Sequence, residues 1–191
     1  STKIDVTVNY NHSHNVIGKI TGTKYPDEVI IYTAHWDHFG IGKPNAAGDS
    51  IYNGAIDNAS GVAALVELAQ AFKSIKTKPE RTIVFLTVTA EEQGLLGAYY
   101  YVDNPIFPIK NTIANINVDM LNCLNQTNDF YITGAGQSEL EDYFIEELKQ
   151  AGFYLSEEKY PEAGMYFRSD HLPFVKAGVP ALFIGNGTDD I

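Results

Sequence analysis

Long runs of apolar residues recur along the chain and are separated by segments with helical periodicity. The runs VIIYTA at 29–34 and TIVFLTVTA at 82–90 are rich in β-branched residues and show little polar alternation. This pattern is typical of strands that are buried on both faces of a sheet. Further candidate strands are shorter and fall at residues 15–20, 113–119, 130–133 and 181–184, the first of them as an edge strand.

Two segments have the spacing of amphipathic helices. Within residues 60–75, apolar side chains fall at positions 62, 65, 66, 69 and 72, a stripe with a period near 3.6. Within residues 138–151 they recur every four positions, and Gly152 is a typical helix stop. Strands that alternate with helices predict an α/β fold. We expect one domain over residues 1–191, a three-layer sandwich with a mostly parallel, mixed central sheet and helices on both faces.

The composition is that of a folded, acidic protein. The 13 Lys and Arg against 24 Asp and Glu give a formal net charge of −11. An acidic surface argues against nucleic acid and anionic membranes as partners, and no apolar run approaches the ~18 residues that a membrane span needs. The sequence leaves the oligomeric state open. Because the chain begins at Ser1 rather than at Met, we expect a secreted or periplasmic protein whose leader precedes these residues.

Side chains that can bind metal follow several of the predicted strands. His35 comes after the first long strand, Glu91 and Glu92 come after the second, and Asp119 ends the third, while Asp57 precedes the first helix. Ligands of parallel sheets bind at the carboxyl ends of the strands, so we expect these groups to converge within ~10 Å at one edge. One imidazole with several carboxylates is a ligand set expected for zinc.

The loop after the first long strand offers two further residues beside His35. A metal-bound imidazole usually donates its other N–H to a carboxylate, and Asp37 is close enough in sequence to orient His35 in this way. His38 has no such partner in the sequence. We therefore interpret His38 as an exposed loop histidine.

The remaining carboxylates can have different roles at such a site. Asp57 lies among small residues, which let the backbone approach a crowded centre, so its carboxylate could bridge two ions. Glu91 and Glu92 are adjacent and point in different directions. One can bind metal while the other holds a proton near the reacting water, and the residue pattern leaves open which does what.

Five segments occur in a fixed order: AHWDH, GAIDNASGVAALVELAQAF, RTIVFLTVTAEEQGLLGA, NINVDM and FRSDHLPF. Together they resemble the two-zinc aminopeptidase family, which is related to glutamate carboxypeptidases and glutaminyl cyclases. The resemblance runs from about residue 15 to 185. It implies a peptide substrate and two zinc ions, or other divalent transition metals, in each complete site.

The resemblance implies a role for each matching residue. Glu91 is implied to be the general base and acid, and Tyr166 resembles a tyrosine that polarises the scissile carbonyl. Asp57 is implied to bridge the ions and to precede a cis peptide bond. The implied metal ligands are His35 and Asp119 on one ion, Glu92 on the other, and Asp57 between them.

The end of the chain departs from the family pattern. In the family, the segment that matches Asp170 and His171 supports the site, and a last histidine ligand follows the final strand in a Tyr-His-x-x-x-Asp-like segment. The chain reaches Ile191 without such a segment. We therefore expect a truncated C-terminal part and weak metal binding at Glu92, with His171 as a supporting residue or, alternatively, a substitute ligand.

These observations predict a metallopeptidase that acts at a chain end. No cluster of arginines is placed to bind a C-terminal carboxylate, since only Arg81 and Arg168 are present, so we favour an aminopeptidase. Arg168 lies close to Tyr166 in sequence and could contact substrate. Two alternatives remain: a single-zinc enzyme similar to glutaminyl cyclases, and a binding module of the same fold without catalysis. Metal stoichiometry and an aminoacyl-anilide assay would separate the three.

Overall fold

The computed structural model describes residues 2–8, 10–123 and 125–187, so the end of the predicted domain at 188–191 lies outside the described residues. Its strands are β1 (Val16–Ile20), β2 (Tyr25–His35), β3 (Gly40–Ile41), β4 (Ile51–Tyr52), β5 (Arg81–Val88), β6 (Thr112–Val118), β7 (Asp129–Ile132), β8 (Tyr154–Leu155) and β9 (Ala181–Asn186). Its helices are α1 (Gly61–Ser74), α2 (Leu96–Asp103), α3 (Leu140–Ala151) and α4 (His171–Lys176).

The central sheet has the order β1-β5-β2-β6-β9-β7-β8 in the described part of the chain. Strand β1 runs antiparallel to β5, and β7 runs antiparallel to β9. The other neighbouring pairs are parallel. The predicted mostly parallel, mixed sheet is therefore confirmed, and so is the edge position of the strand near residues 15–20.

Helices cover both faces of the sheet, as the three-layer prediction required. On one face, Leu65 of α1 packs with Ile83 and Phe85 of β5. On the other face, Tyr101 of α2 and Phe174 of α4 pack with the alternate side chains of β2 and β5. Because both strands bury both of their faces, their sequences read as continuous apolar runs rather than as an alternating pattern.

The hydrophobic pattern did not reveal α2 and α4. Helix α2 has the sequence LGAYYYVD, in which apolar residues occupy almost every position, so no polar face marks a period. Helix α4 contains Pro173 and has only 6 residues. Proline is compatible with the first turn of a helix, where its missing N–H has no partner to lose. Helix α3 ends at Gly152, which has the left-handed φ of 84° expected of a helix stop.

The topology determines where the functional groups meet. Strands β5, β2, β6 and β9 are parallel neighbours, so their carboxyl ends share one edge of the sheet. The small hairpin formed by β3 and β4 lies in the connection that follows β2. Within the described ranges, no helix combines the length and the apolar character needed to cross a bilayer.

Candidate metal centre

The first group of metal-binding side chains surrounds the end of β2. His35 is 1% exposed, and its Nε2 lies 3.0 Å from Asp57 Oδ1 and 3.3 Å from Asp119 Oδ1. His35, Glu91 and Asp119 each offer one ligand atom, and these three atoms lie within 4.8 Å of one another. The structure thus brings together groups that come from three different strand ends.

Hydrogen bonding orients the imidazole of His35. Its Nδ1 lies 3.0 Å from the backbone oxygen of Asp37. Because a carbonyl oxygen only accepts, Nδ1 carries the hydrogen, and Nε2 faces the carboxylates of Asp57 and Asp119. This orientation presents Nε2 to a metal ion.

The expected role of the Asp37 carboxylate is corrected by this geometry. Its Oδ1 is 3.8 Å from His35 Nδ1, beyond hydrogen-bonding distance. The carboxylate instead accepts hydrogen bonds from the backbone N–H groups of Glu91 at 3.0 Å and Glu92 at 3.3 Å. The Asp37 side chain therefore fixes the turn that follows β5, and its main chain orients His35.

A second group lies beside the first and contains His38, which was interpreted from the sequence as an exposed loop histidine. His38 Nδ1 is 2.6 Å from Glu92 Oε1. His38, Asp57 and Glu92 each offer one ligand atom, again within 4.8 Å of one another. The interpretation of His38 as an exposed loop histidine without a partner was wrong. The available signal was its spacing, since His38 follows His35 by three residues in the same loop.

Asp57 stands between the two groups. It contacts His35 in the first group and belongs to the second group with His38 and Glu92. The peptide bond between Asp57 and Asn58 is cis, as expected from the resemblance. The buried Asn58 amide donates to the backbone oxygen of Val118 at 3.0 Å and ties this turn to the end of β6. A carboxylate placed in this way is suited to bridge two ions.

A chain of buried hydrogen bonds holds Asp119 from behind. Ser169 Oγ donates to Asp119 Oδ2 at 2.7 Å, and Asn117 Nδ2 donates to Ser169 Oγ at 2.7 Å. Thr33 Oγ1 donates in turn to Asn117 Oδ1 at 2.7 Å. One oxygen of Asp119 is therefore fixed to the fold, and Oδ1 remains directed at His35.

The electrostatics of the site fit a bound cation. Burial raises the pKa of Glu91 to about 7, opposed by His35 and reinforced by Asp119, Glu92 and Asp57. Burial alone lowers the pKa of His35, but the hydrogen bond and charge of Asp119 outweigh it and raise the pKa to about 10. The crowded carboxylates thus favour a positively charged group among them. Together with the imidazoles of His35 and His38, they form a set of ligands that suits zinc.

Asp170 and His171 are completely buried behind the metal-binding groups. Burial raises the pKa of Asp170 well above its usual range, and the neighbouring charge of Glu91 adds to the effect. His171 belongs to neither group. Its ring packs between Tyr166, at a centroid distance of 4.9 Å, and Phe183, at 5.0 Å. These contacts favour the supporting role over the alternative of a substitute ligand.

The burial of His171 predicts a pH dependence of stability. Burial lowers the pKa of His171 to about 4, against 6.5 for a free histidine. The unfolded chain takes up this proton below pH 6.5, whereas the folded chain takes it up only near pH 4. The stability contributed by neutral His171 is therefore complete above pH 6.5 and declines as the pH falls toward 4.

Urea unfolding of the metal-free chain at pH 7 and pH 5 measures this effect. For wild type, we expect protonation of His171 to lower the free energy of unfolding by about 2 kcal/mol between the two pH values. A His171→Phe variant keeps a ring between Tyr166 and Phe183 but does not titrate. The free energy of unfolding of this variant should therefore decrease by about 2 kcal/mol less than that of wild type between pH 7 and pH 5. Titration of Asp170 contributes to both proteins and so does not change this difference. Equal losses in the two proteins would contradict the prediction.

Tyr166 and Arg168 belong to neither of the two metal-binding groups. The Tyr166 ring packs against Gly134 and His171. Burial raises the pKa of Tyr166, and the charge that adds to this comes from Glu141 at the start of α3. Arg168 is exposed and lies on the rim of the site. The contact of Tyr166 with a substrate carbonyl stays a prediction.

Two cavities border the metal-binding groups, and Arg168 lines both. One has a volume of about 380 Å³ and is lined by Asp119, Met120, Tyr131 and Phe183, among others. The other has a volume of about 460 Å³ and is lined by Glu91 and Glu92 with Leu95 and Phe167. Open space therefore borders Asp119 in one cavity and Glu91 and Glu92 in the other.

Comparison with known proteins gives a consistent result. The model of a protein family described as peptidase family M28 matches residues 15–190. The chain is 32% identical over 174 residues to the aminopeptidase YwaD of Bacillus subtilis (strain 168), a match that covers 87% of this chain and 34% of that protein. The chain spans about a third of the length of this relative.

Solved structures have the same fold. BSAP, a zinc aminopeptidase from Bacillus subtilis, superimposes with a TM-score of 0.68 at 26% identity, over 92% of this chain and 40% of that one. A glutaminyl cyclase from Porphyromonas gingivalis superimposes with a TM-score of 0.64 at 21% identity, over 93% of this chain and 64% of that one. The second likeness concerns the fold alone.

Proposed function

Since the chain belongs to peptidase family M28, we propose that it carries the catalytic centre of a zinc aminopeptidase, which removes residues from the free amino end of peptides. One observation carries the proposal. Two groups, each with an imidazole and carboxylates, lie side by side at the strand ends and meet at Asp57. Glu91, the candidate base, lies in the same cluster.

The residues present fit two zinc ions. His35 and Asp119 would hold one ion, Glu92 would hold the other, and Asp57 would be shared between them. When bound, zinc supplies Lewis acidity, which polarises a carbonyl oxygen and makes a water molecule more acidic. The hydrogen bonds from Ser169 to Asp119 and from His35 to the main chain orient these ligands.

Glu91 performs the proton transfers in this proposal. Its carboxylate takes a proton from the attacking water and later delivers it to the nitrogen of the leaving amine. Asp37 supports these different roles of Glu91 and Glu92, because its carboxylate accepts hydrogen bonds from the backbone N–H groups of both residues and fixes their positions. The two adjacent side chains then diverge, Glu91 toward His35 and Asp119, and Glu92 toward His38.

The charges around the site favour a free amino terminus over a carboxyl terminus. The cluster is acidic, so it attracts a substrate ammonium group. Arg81 lies at the start of β5, at the opposite end of that strand from Glu91, and its Nε is 2.6 Å from Glu28 Oε2. Arg168 lines both cavities, and in this proposal it contacts the peptide.

Cleavage of aminoacyl 4-nitroanilides by the zinc-loaded chain tests the proposal. We expect hydrolysis of free aminoacyl anilides to be at least about 100-fold faster than that of their N-acetylated forms, because acetylation removes the charge that the acidic site attracts. Chelation should abolish the activity, and added zinc should restore it.

Further measurements on the zinc-loaded chain separate the alternatives. Release of ammonia from glutaminyl peptides, with one zinc per chain and no anilide hydrolysis, would replace the proposal by a cyclase. Binding of peptides without turnover by the fully zinc-loaded chain would replace it by a binding module.

A further inference from the structure

The cavity of about 460 Å³ beside Glu91 is lined by groups of opposite charge. Glu91 and Glu92 contribute carboxylates, whereas Arg168 and Lys176 contribute basic side chains. In the proposed reaction, Glu91 returns a proton to the nitrogen of the leaving amine. The part of the substrate that follows the cleaved bond therefore lies in this cavity, together with the two basic side chains.

Neutral groups contact both basic side chains, so their charges are not compensated. Lys176 Nζ donates a hydrogen bond to Tyr99 Oη at 2.7 Å and lies 5.3 Å from the centroid of the Tyr99 ring. Arg168 Nη1 lies 3.8 Å from Met165 Sδ. In the part of the chain that the structure describes, neither cation forms an ion pair with a carboxylate. Two such cations at one cavity are suited to bind an anion.

We propose that Arg168 and Lys176 bind a carboxylate on the leaving part of the substrate, so that the site prefers peptides with a negative charge just beyond the cleaved bond. The inference rests on the proposed function, because that function places the leaving amine beside Glu91. Guanidinium and ammonium groups form strong, charge-assisted hydrogen bonds with carboxylates. The preferred substrates are therefore dipeptides, or longer peptides whose second residue is acidic.

The leaving residue carries charges that match the lining of the cavity. Hydrolysis converts its nitrogen into an amine, which lies beside the carboxylate of Glu91. In a dipeptide, the terminal carboxylate is separated from this nitrogen by a single carbon atom. In a longer peptide, the side chain of an acidic second residue brings a carboxylate into the same cavity. Both sources supply the same group, a carboxylate within reach of the leaving nitrogen.

Apolar neighbours strengthen the attraction between these charges. Leu95, Phe167 and Leu172 line the cavity together with the two cations. Apolar groups lower the local dielectric constant, which increases the energy of a charge pair beside them. The sequence contains no cluster of arginines, and the structure supplies the second positive charge from Lys176, the last residue of α4.

A purely structural role of Lys176 is the competing explanation. Lys176 lies in the last turn of α4, where a positive charge interacts favourably with the helix carbonyl groups. In that case, removal of the charge would lower the thermal stability of the chain but would not change how it discriminates between ligands. The two explanations therefore differ in a measurable ratio of affinities.

The experiment measures the binding of uncleavable dipeptide analogues to the zinc-loaded chain by calorimetric titration. In these analogues, a methylene group replaces the carbonyl of the bond that would be cleaved. One pair is leucyl-glycine with a free carboxylate and with a terminal amide. A second pair is leucyl-aspartic diamide analogues against their asparagine counterparts, which places the charge on the side chain alone. In each pair the two ligands have nearly the same size and differ in one negative charge.

We expect wild type to bind the charged member of at least one pair about 10-fold more tightly than the neutral member. The leucyl-glycine pair reports on the terminal carboxylate, and the aspartic pair reports on the side-chain carboxylate. High salt should reduce the ratio, because it screens partly exposed charges. Equal affinities within both pairs, or no binding of any of the ligands, would overturn the inference.

Substitutions at the two cations identify the groups that produce this ratio. Arg168→Met and Lys176→Met remove one charge each and should reduce the ratio to about threefold, and the double variant should reduce it to about one. Lys110→Met is the control, because it removes the same charge at an exposed position just before β6, at the opposite edge of the sheet from Asp119. A wild-type ratio in the double variant would overturn the assignment.

The anilide assay separates the failure of this inference from the failure of the proposed function. Hydrolysis of aminoacyl anilides without any preference for the charged ligands would overturn the carboxylate site and keep the aminopeptidase. A preference that is lost in the double variant, in a chain that hydrolyses no anilide, would support the carboxylate site and overturn the aminopeptidase.

Discussion

Replacement of Glu91 by Gln is expected to lower kcat by about 10³-fold or more while the zinc content stays close to that of wild type. The substitution keeps the size of the side chain but removes its capacity to accept a proton. Glu91 lies beside His35 and Asp119, where it can reach a water molecule near the first ion. Turnover of an aminoacyl anilide and elemental analysis of the same samples measure the two quantities.

Glu92→Gln is the matched control, because it makes the same chemical change at the adjacent residue. Glu92 contacts His38 and is assigned as a ligand, so this variant should lose the second zinc ion together with activity. If Glu91→Gln lost metal while Glu92→Gln kept two ions and lost only turnover, the roles of the two residues would be the reverse of those proposed.

Replacement of Asp57 by Asn is expected to remove both zinc ions and all measurable activity. Asp57 Oδ1 is 3.0 Å from His35 Nε2, and the same carboxylate belongs to the group with His38 and Glu92. A neutral amide offers one weak oxygen ligand where two negatively charged oxygens are needed. Loss of the bridge therefore weakens both sites at once, whereas an Asp119→Asn substitution should affect only the first.

Thermal unfolding with and without zinc measures this prediction independently of catalysis. Each occupied site stabilises the folded wild-type chain by about 2.7 kcal/mol at a free zinc concentration 100 times Kd. The Asp57→Asn variant should gain almost none of this. An Asp103→Asn variant, changed at an exposed position on α2, should gain as much as wild type. A full zinc-dependent shift in Asp57→Asn would contradict the bridging role.

Much of the fold could be predicted from local sequence patterns. The apolar runs in β2 and β5 and the period of α1 reflect burial, and burial on both faces or on one stripe leaves a direct trace in the sequence. Helix α2 left no such trace, because its Tyr-rich segment lacks a polar face. Helix α4 was hidden by Pro173, which usually marks a break but fits a first helical turn.

The amino-acid sequence was sufficient to predict which edge of the sheet carries the metal-binding groups. His35, Glu91 and Asp119 follow strands that are buried and parallel, and the carboxyl ends of such strands must share an edge. The order of strands and residues along the chain is therefore sufficient to place these groups at one edge, whatever the direction of each side chain.

The contacts of the individual side chains, in contrast, depend on how the chain folds in three dimensions. His38 meets Glu92 across 54 positions of the chain, and Ser169 meets Asp119 across 50. The Asp37 carboxylate reaches the turn after β5 rather than His35, its neighbour in sequence. Such pairings depend on the path of each loop and on the rotamers that packing allows. Neither leaves a periodic trace in the sequence, because each is set by contacts between segments that are distant along the chain.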